Sequence, residues 1–416
     1  MTDLLLRACR VADRDGLVDL AVTQGRIAAI HAHDPVAPAT AARVVEARGR
    51  LCTPGLVEAH IHLDKAFLTE RISAPAGSAL EAIRLVGEAK RRFTAEDIQA
   101  RARRVLDLAV AAGTTAMRSH VEVDPVVGLM GLEALLPLKR EYAPALDLQL
   151  CAFAQEGILQ SPGTEGLLRR ALQNGADLVG GCPYNDTDAL KHIDIVMRLA
   201  EAFRVDADFH VDFFDEPDHL HIRAIIERTR RAGWQGRVAV GHLTELAAVA
   251  PVEQDDIIAG LVAADIGVIC LPATDLYLMG RKDSTSPRRG LAPVRRLLAA
   301  GVPVALATNN VCNPFTTIGT ADLAHMALIT ALAGHMGTLD DLRALMATLT
   351  VHPARILRLP DYGLAVGRQA DLVLWECERL EDVVAAQPGR TLVVKRGRVT
   401  VEHEHHRREP WRERAS

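Results

Sequence analysis

The chain has 416 residues, of which 49% are hydrophobic, enough for one large core and a smaller satellite domain. Its formal net charge of -5 and the lack of a long basic block argue against nucleic acid as the main partner. Aromatic residues make up only 4%, so the core must be aliphatic, a composition that suits parallel strands buried on both faces.

Seven cysteines are scattered without a CxxC pair, which disfavours a disulfide framework and points to a reducing cytoplasm. The N-terminal MTDLLLRACRVADRDG lacks a signal-peptide core, and no apolar run reaches the ~18 residues of a membrane span. A soluble, cytoplasmic protein is expected.

In chain order, residues 1–54 read as short strands: DLLLRACRV, LVDLAVTQGRIAAIHA and ARVVEARGRLCTPG. Eight strand-like runs follow, beginning at Gly55, Thr114, Leu146, Ala176, Val205, Arg237, Ile266 and Val302, with helical sequence between them. One such helix spans Thr94–Ala112, with Thr94 as N-cap and Ile98, Val105, Leu108 and Ala112 as its apolar stripe. β-type sequence returns in QADLVLWECERL and RTLVVKRGRVTVE. The expected fold is an α/β (β/α)8 TIM barrel over 55–358, with a small β-sandwich formed from N- and C-terminal segments, 1–54 and 359–402. Residues 403–416 read as a polar, disordered tail, in which His403, His405 and His406 could hold only adventitious metal.

In a barrel of this kind the residues at strand C-termini form the active-site mouth. Here those ends carry His60 and His62, His120, Gln155 and Glu156, Asp186, His210, His242, Asp275, and Asn309 with Asn310. Residues two apart on a strand face one side, so His60 and His62 can share a metal ion, and His210 would supply a third ligand. Neutral imidazole suits Zn, Fe, Ni or Cu. His242 could polarise a carbonyl or hold the attacking water, and a satisfied structural histidine is the alternative. Lys65 lies on the loop after strand one, where it could contact substrate or be an ordinary loop lysine.

The segments TPGLVEAHIHLDKAF, SHVEVDP, AFAQEGI, DLVGGCP, VAVGHLTEL, PATDLYLMGRKD, SPRRGLAPVRRLLAAGVPVAL and DYGLAVGRQADLVL resemble the amidohydrolase superfamily, within it the cytosine deaminase branch. The resemblance implies one divalent metal ion, Zn or Fe, on His60, His62 and His210. The fourth strand, ADLVGGCPYND, has no lysine to bridge two ions. By the same resemblance His242 matches the strand-six histidine and Gln155 a substrate-orienting glutamine, and the two would orient and polarise the substrate. Lys65, Asp275, Arg281 and Asn310 are placed with Gln155 as substrate-binding, Asp275 and Arg281 in the loop after strand seven; a structural fork to a carboxylate is the alternative for Arg281.

Two positions depart from the branch. Phe213 stands where a proton-shuttling glutamate is expected, and Asn309 stands where an aspartate would bind metal and take a proton. Neither phenyl nor amide is a useful general base. Asp212 is the first choice for a replacement carboxylate, since alternation places it on the face of His210 if the strand continues; a loop or helix-cap aspartate is the alternative. Asp215 and Glu216 lie close by in the sequence. The expected function is metal-dependent hydrolysis of a non-peptide C–N bond, with catalytic roles for His242, Asn309 and Asp212. The reaction implied is deamination of a small nitrogen heterocycle or amide by an enzyme that could be homo-oligomeric. A ligand-binding protein or metal-independent catalyst is the alternative.

Overall fold

The structure is a computed structural model that describes residues 2–74 and 77–404. Four strands open the chain: β1 (Leu4–Cys9), β2 (Val18–Thr23), β3 (Arg26–Ala32) and β4 (Arg43–Glu46), paired in the order β3-β2-β1-β4. β5 (Cys52–Pro54) follows, and then the eight parallel strands of the barrel. These are β6 (Leu56–Ile61), β7 (Thr114–Glu122), β8 (Asp147–Ala154), β9 (Leu178–Gly181), β10 (Asp206–Val211), β11 (Val238–His242), β12 (Gly267–Cys270) and β13 (Val304–Leu306). Each lies next to its sequence neighbour, with helices between. β14 (Leu372–Trp375), β15 (Arg390–Lys395) and β16 (Arg398–Glu402) then form a second four-stranded sheet with β5.

The two small sheets share one core. Leu4, Leu6, Leu20 and Val22 from the first pack with Leu372, Leu374, Leu392 and Val394 from the second. The chain is therefore a TIM barrel with a β-sandwich drawn from both ends. Every residue of β6 and β7 is buried, as expected of strands covered by helices outside and side chains inside.

The barrel is closed just past the last regular strand. Asn309 N donates to His60 O and His62 N donates to Asn309 O, each at 2.9 Å. Below them the buried Glu58 carboxylate accepts from Thr308 Oγ1 at 2.6 Å, Thr308 N at 3.1 Å and His60 N at 3.0 Å. Closure and the HxH motif are thus one piece of structure.

Thr94 caps the helix Ala95–Ala111 by accepting from Asp97 N at 3.2 Å. Leu108 corrects the expected stripe, being 42% exposed while Leu106 and Ala109 are fully buried. Ten residues beyond Ile98, at roughly 100° each, Leu108 lies about 80° off the inward line. His403 does not start a loose tail, because its N–H donates to Thr391 O at 3.0 Å and extends the sheet. His405 and His406 lie outside the described residues. Among the described residues no helix is long and apolar enough to cross a membrane.

Candidate active site

On β6 the alternation of the strand turns Glu58 and His60 to one face, and His62 follows in the same phase. His62 Nδ1 meets the His120 carbonyl at 3.2 Å, so that nitrogen carries the hydrogen. Its Nε2 then presents a lone pair 3.3 Å from His210 Nε2. Both ring nitrogens of His60 and Nδ1 of His210 are buried without a hydrogen-bond partner, and so is Asn309 Oδ1. Burial, and next the neighbouring imidazoles or Lys65, lower the pKa of His60, His62 and His210 well below the ordinary histidine value. Each is therefore a neutral nitrogen donor.

One donor atom from each of His60, His62 and His210 lies within 4.8 Å of the others. Orphaned, buried, neutral imidazole nitrogens fit a divalent metal, and the unpartnered Asn309 Oδ1 is a weak oxygen donor beside them. His60, His120 and Asp208 meet the same distance criterion. That set is poorer, because Asp208 already accepts from Arg118 Nη1 at 2.8 Å and lies 3.2 Å from His120 Nε2. Gly241 makes room for the cluster, since a Cβ there would sit 3.1 Å from the His60 ring.

His242 ends β11 with a φ of 73°. Its Nδ1 lies 2.8 Å from Asp275 Oδ1, and the Phe213 ring rests on it at 3.9 Å. Asp275 thus differs from its expected place. β12 stops at Cys270, and Asp275 sits on the helix Pro272–Leu278, fully buried against His242 instead of facing an open pocket.

Asp212 is also corrected. β10 ends at Val211, and Asp212 adopts a φ of 51°, which breaks the alternation. Its carboxylate accepts from His221 N at 2.7 Å and Ile222 N at 3.1 Å, at the start of the helix Ile222–Ala232. Asp215 accepts from Gly280 N at 2.8 Å, and Glu216 pairs with Arg288 at 2.9 Å. Asp186 accepts the backbone N–H groups of Ile158, Leu159 and Gln160 and holds the loop after β8. None of these carboxylates joins His60, His62 and His210.

Lys65 is buried, with Nζ donating to Glu122 Oε1 at 2.8 Å and to Gln155 Oε1 at 3.4 Å. The Gln155 carbonyl is thereby fixed on Lys65, and its NH2 turns toward Cys182 Sγ at 3.7 Å. Asn310 accepts from Asn313 Nδ2 at 2.7 Å and reaches Thr274 Oγ1 at 3.4 Å. Arg281 is not brought to the cluster: it is exposed and folds back to donate to Tyr277 O at 2.8 Å.

Sequence reasoning missed Glu58, Arg118, Asp208 and Lys90. Three of these carried a signal. Arg118, Asp208 and Glu58 each precede a site histidine by two, so strand alternation points them inward as well. Lys90 had none. It reaches in from a helix end to bond Glu122 at 3.2 Å, Asp124 at 2.7 Å and Glu156 at 2.8 Å.

Residues 43–401 match the Amidohydrolase family. The chain belongs to this family. It is accordingly a hydrolase of carbon–nitrogen bonds other than peptide bonds. It is 29% identical over 410 residues to the N-isopropylammelide isopropyl amidohydrolase of Pseudomonas sp. (strain ADP), covering 97% of this chain and 98% of that protein. It is 31% identical over 373 residues to the pterin deaminase of Rhizobium rhizogenes (strain K84 / ATCC BAA-868), covering 87% and 83% respectively. The amidohydrolase also superposes on 5-methylcytosine deaminase from Klebsiella pneumoniae liganded with 5-fluorocytosine. The TM-score is 0.94 at 30% identity, over 98% of this chain and 100% of the other.

Proposed function

We propose that this amidohydrolase is a metal-dependent deaminase that replaces the amino substituent of a small nitrogen heterocycle with oxygen from water. The observation that carries the reading is the group of three buried, neutral imidazoles whose ring nitrogens find few or no protein partners. A divalent ion held by His60, His62 and His210, zinc or iron, would supply Lewis acidity and bring the pKa of water to about 7. Pterin and 5-methylcytosine deaminases among the similar proteins support a heterocyclic amine as substrate.

The chain's own side chains divide the remaining work. The Gln155 NH2, with its carbonyl occupied by Lys65, donates to an acceptor on the heterocycle edge. Addition of water to the amino-bearing carbon and loss of ammonia require a proton to leave the water oxygen and one to reach the departing nitrogen. His242 is the group in place to carry it, because Phe213 and Asn309 cannot and the nearby carboxylates hold other partners. The Phe213 ring keeps water off one face of that imidazole. Seven cysteines that are all free fit a cytoplasmic setting, and a homo-oligomer is compatible with the reading.

An ammonia-release screen over aminopyrimidines, pterins and aminotriazines with zinc- or iron-loaded protein tests the proposal. Release from one class, lost in His242→Gln, is expected. No release from any class would leave a ligand-binding or metal-free barrel as the better account.

A further inference from the structure

His242 has two ring nitrogens, and only one can serve the reaction. Its Nδ1 lies 2.8 Å from Asp275 Oδ1, both residues being buried. The second carboxylate oxygen, Oδ2, accepts from Leu271 N at 3.3 Å. Among the described residues no lysine or arginine pairs with Asp275, so His242 is the one side chain it pairs with. The other inward carboxylates differ in this respect: Asp208 is paired by Arg118, Glu122 by Lys65 and Lys90, and Glu58 is held by Thr308.

We propose that Asp275 is a positioning residue that locks His242 in the tautomer with hydrogen on Nδ1, which leaves the Nε2 lone pair for the reacting water. This rests on the deaminase reading for its consequence, but not for its geometry. A carboxylate only accepts, so the hydrogen between the two residues belongs to the imidazole. The phenyl ring of Phe213, 3.9 Å away and tilted by 39°, covers one face of the imidazole and restrains its plane. The His210 and His60 rings, two of the proposed metal ligands, lie 5.2 Å and 6.1 Å away. Among the described residues Nε2 makes no hydrogen bond of its own.

The pair also dictates what an isosteric change would do. In Asp275→Asn, Leu271 N still needs an acceptor, so the amide oxygen takes the Oδ2 place. The NH2 then faces His242 Nδ1 and, as a donor, forces the hydrogen onto Nε2. The variant inverts the tautomer at nearly constant volume.

The experiment is nitrogen NMR on the full chain labelled with 15N-histidine, with and without added zinc. The His242 signals are assigned by their loss in His242→Gln. Hydrogen on Nδ1 in the wild type and on Nε2 in Asp275→Asn is the expected result. Alongside it, kcat should fall on the order of 10³–10⁴-fold with KM moved little, as a wrong tautomer leaves binding intact. A wild-type His242 protonated on Nε2, or an Asp275→Asn variant that keeps both tautomer and kcat, would overturn the proposal. Should Asp275→Asn fail to fold, the wild-type spectrum alone decides. Should no substrate be turned over, the tautomers still decide the role of Asp275, separately from the deaminase reading.

Discussion

Phe213 and His242 lie ring against ring, with centroids 3.9 Å apart and planes tilted by 39°. The same phenyl ring packs into a cluster with Leu68, Val86, Leu278, Met279 and Phe315. Position 213 is therefore both a wall of the site and a piece of core. Phe213→Ala should cost about 3 kcal/mol, since the surroundings refill such a cavity only in part. The urea midpoint reads this directly, and an unchanged midpoint would show that the ring is not packed as described.

Asn309 occupies a left-handed backbone conformation, φ 59°, with its side-chain oxygen buried and unpartnered. Aspartate tolerates that conformation as asparagine does, so Asn309→Asp changes charge with little change of shape. Zinc affinity should rise on the order of ten-fold, equivalent to roughly 1.4 kcal/mol. The metal-free variant should be less stable than the wild type, because a buried carboxylate lacks a partner there. Zinc titration by calorimetry tests both halves when combined with melting of the metal-free protein. An unchanged dissociation constant would place the ion away from position 309.

Lys90 holds Glu122, Asp124 and Glu156 together in a nearly dry setting, and Glu122 in turn holds Lys65. Lys90→Met should destabilise by about 3–5 kcal/mol, because it strands buried carboxylates. It should also weaken substrate binding through Lys65 and Gln155. Chemical unfolding beside KM measurements would show this, and a variant as stable as the wild type would contradict it.

The same network sets an acid limit. Burial pushes the Glu122 carboxyl up, but the ammonium groups of Lys65 and Lys90 outweigh it and hold the group below its ordinary 4.5. A depressed carboxylate contributes fully above its unfolded value and loses that contribution as pH falls through the folded one. Stability should therefore drop as pH is lowered below about 4.5, and less steeply in Glu122→Gln. Urea midpoints across this range test the sign, and equal slopes in the two proteins would refute it.

The eight barrel strands were legible because short strand-like runs alternate with helical sequence, and each observed strand begins within two residues of its expected start. His60, His62 and His210 come together because two-residue alternation holds on β6 and β10. Alternation failed at Asp212, where a positive φ that no pattern announces turns the carboxylate to a helix terminus. Asp275 was noticed but misplaced, since its partner His242 is 33 positions away and the seventh run turns helical after Leu271. Lys90 was invisible. A lysine in a charged helix end gives no sign of being 3% exposed.

His60, His62 and His210 are the proposed ligands of a catalytic divalent ion. Elemental analysis of tag-free protein, beside a His60→Ala/His62→Ala variant, tests this most directly, because the variant keeps the tail histidines as a control for adventitious binding. About one zinc or iron per chain in the wild type, lost in the variant, is the predicted result. The same metal content in both proteins, or none after loading with Zn, Fe or Mn, would contradict it.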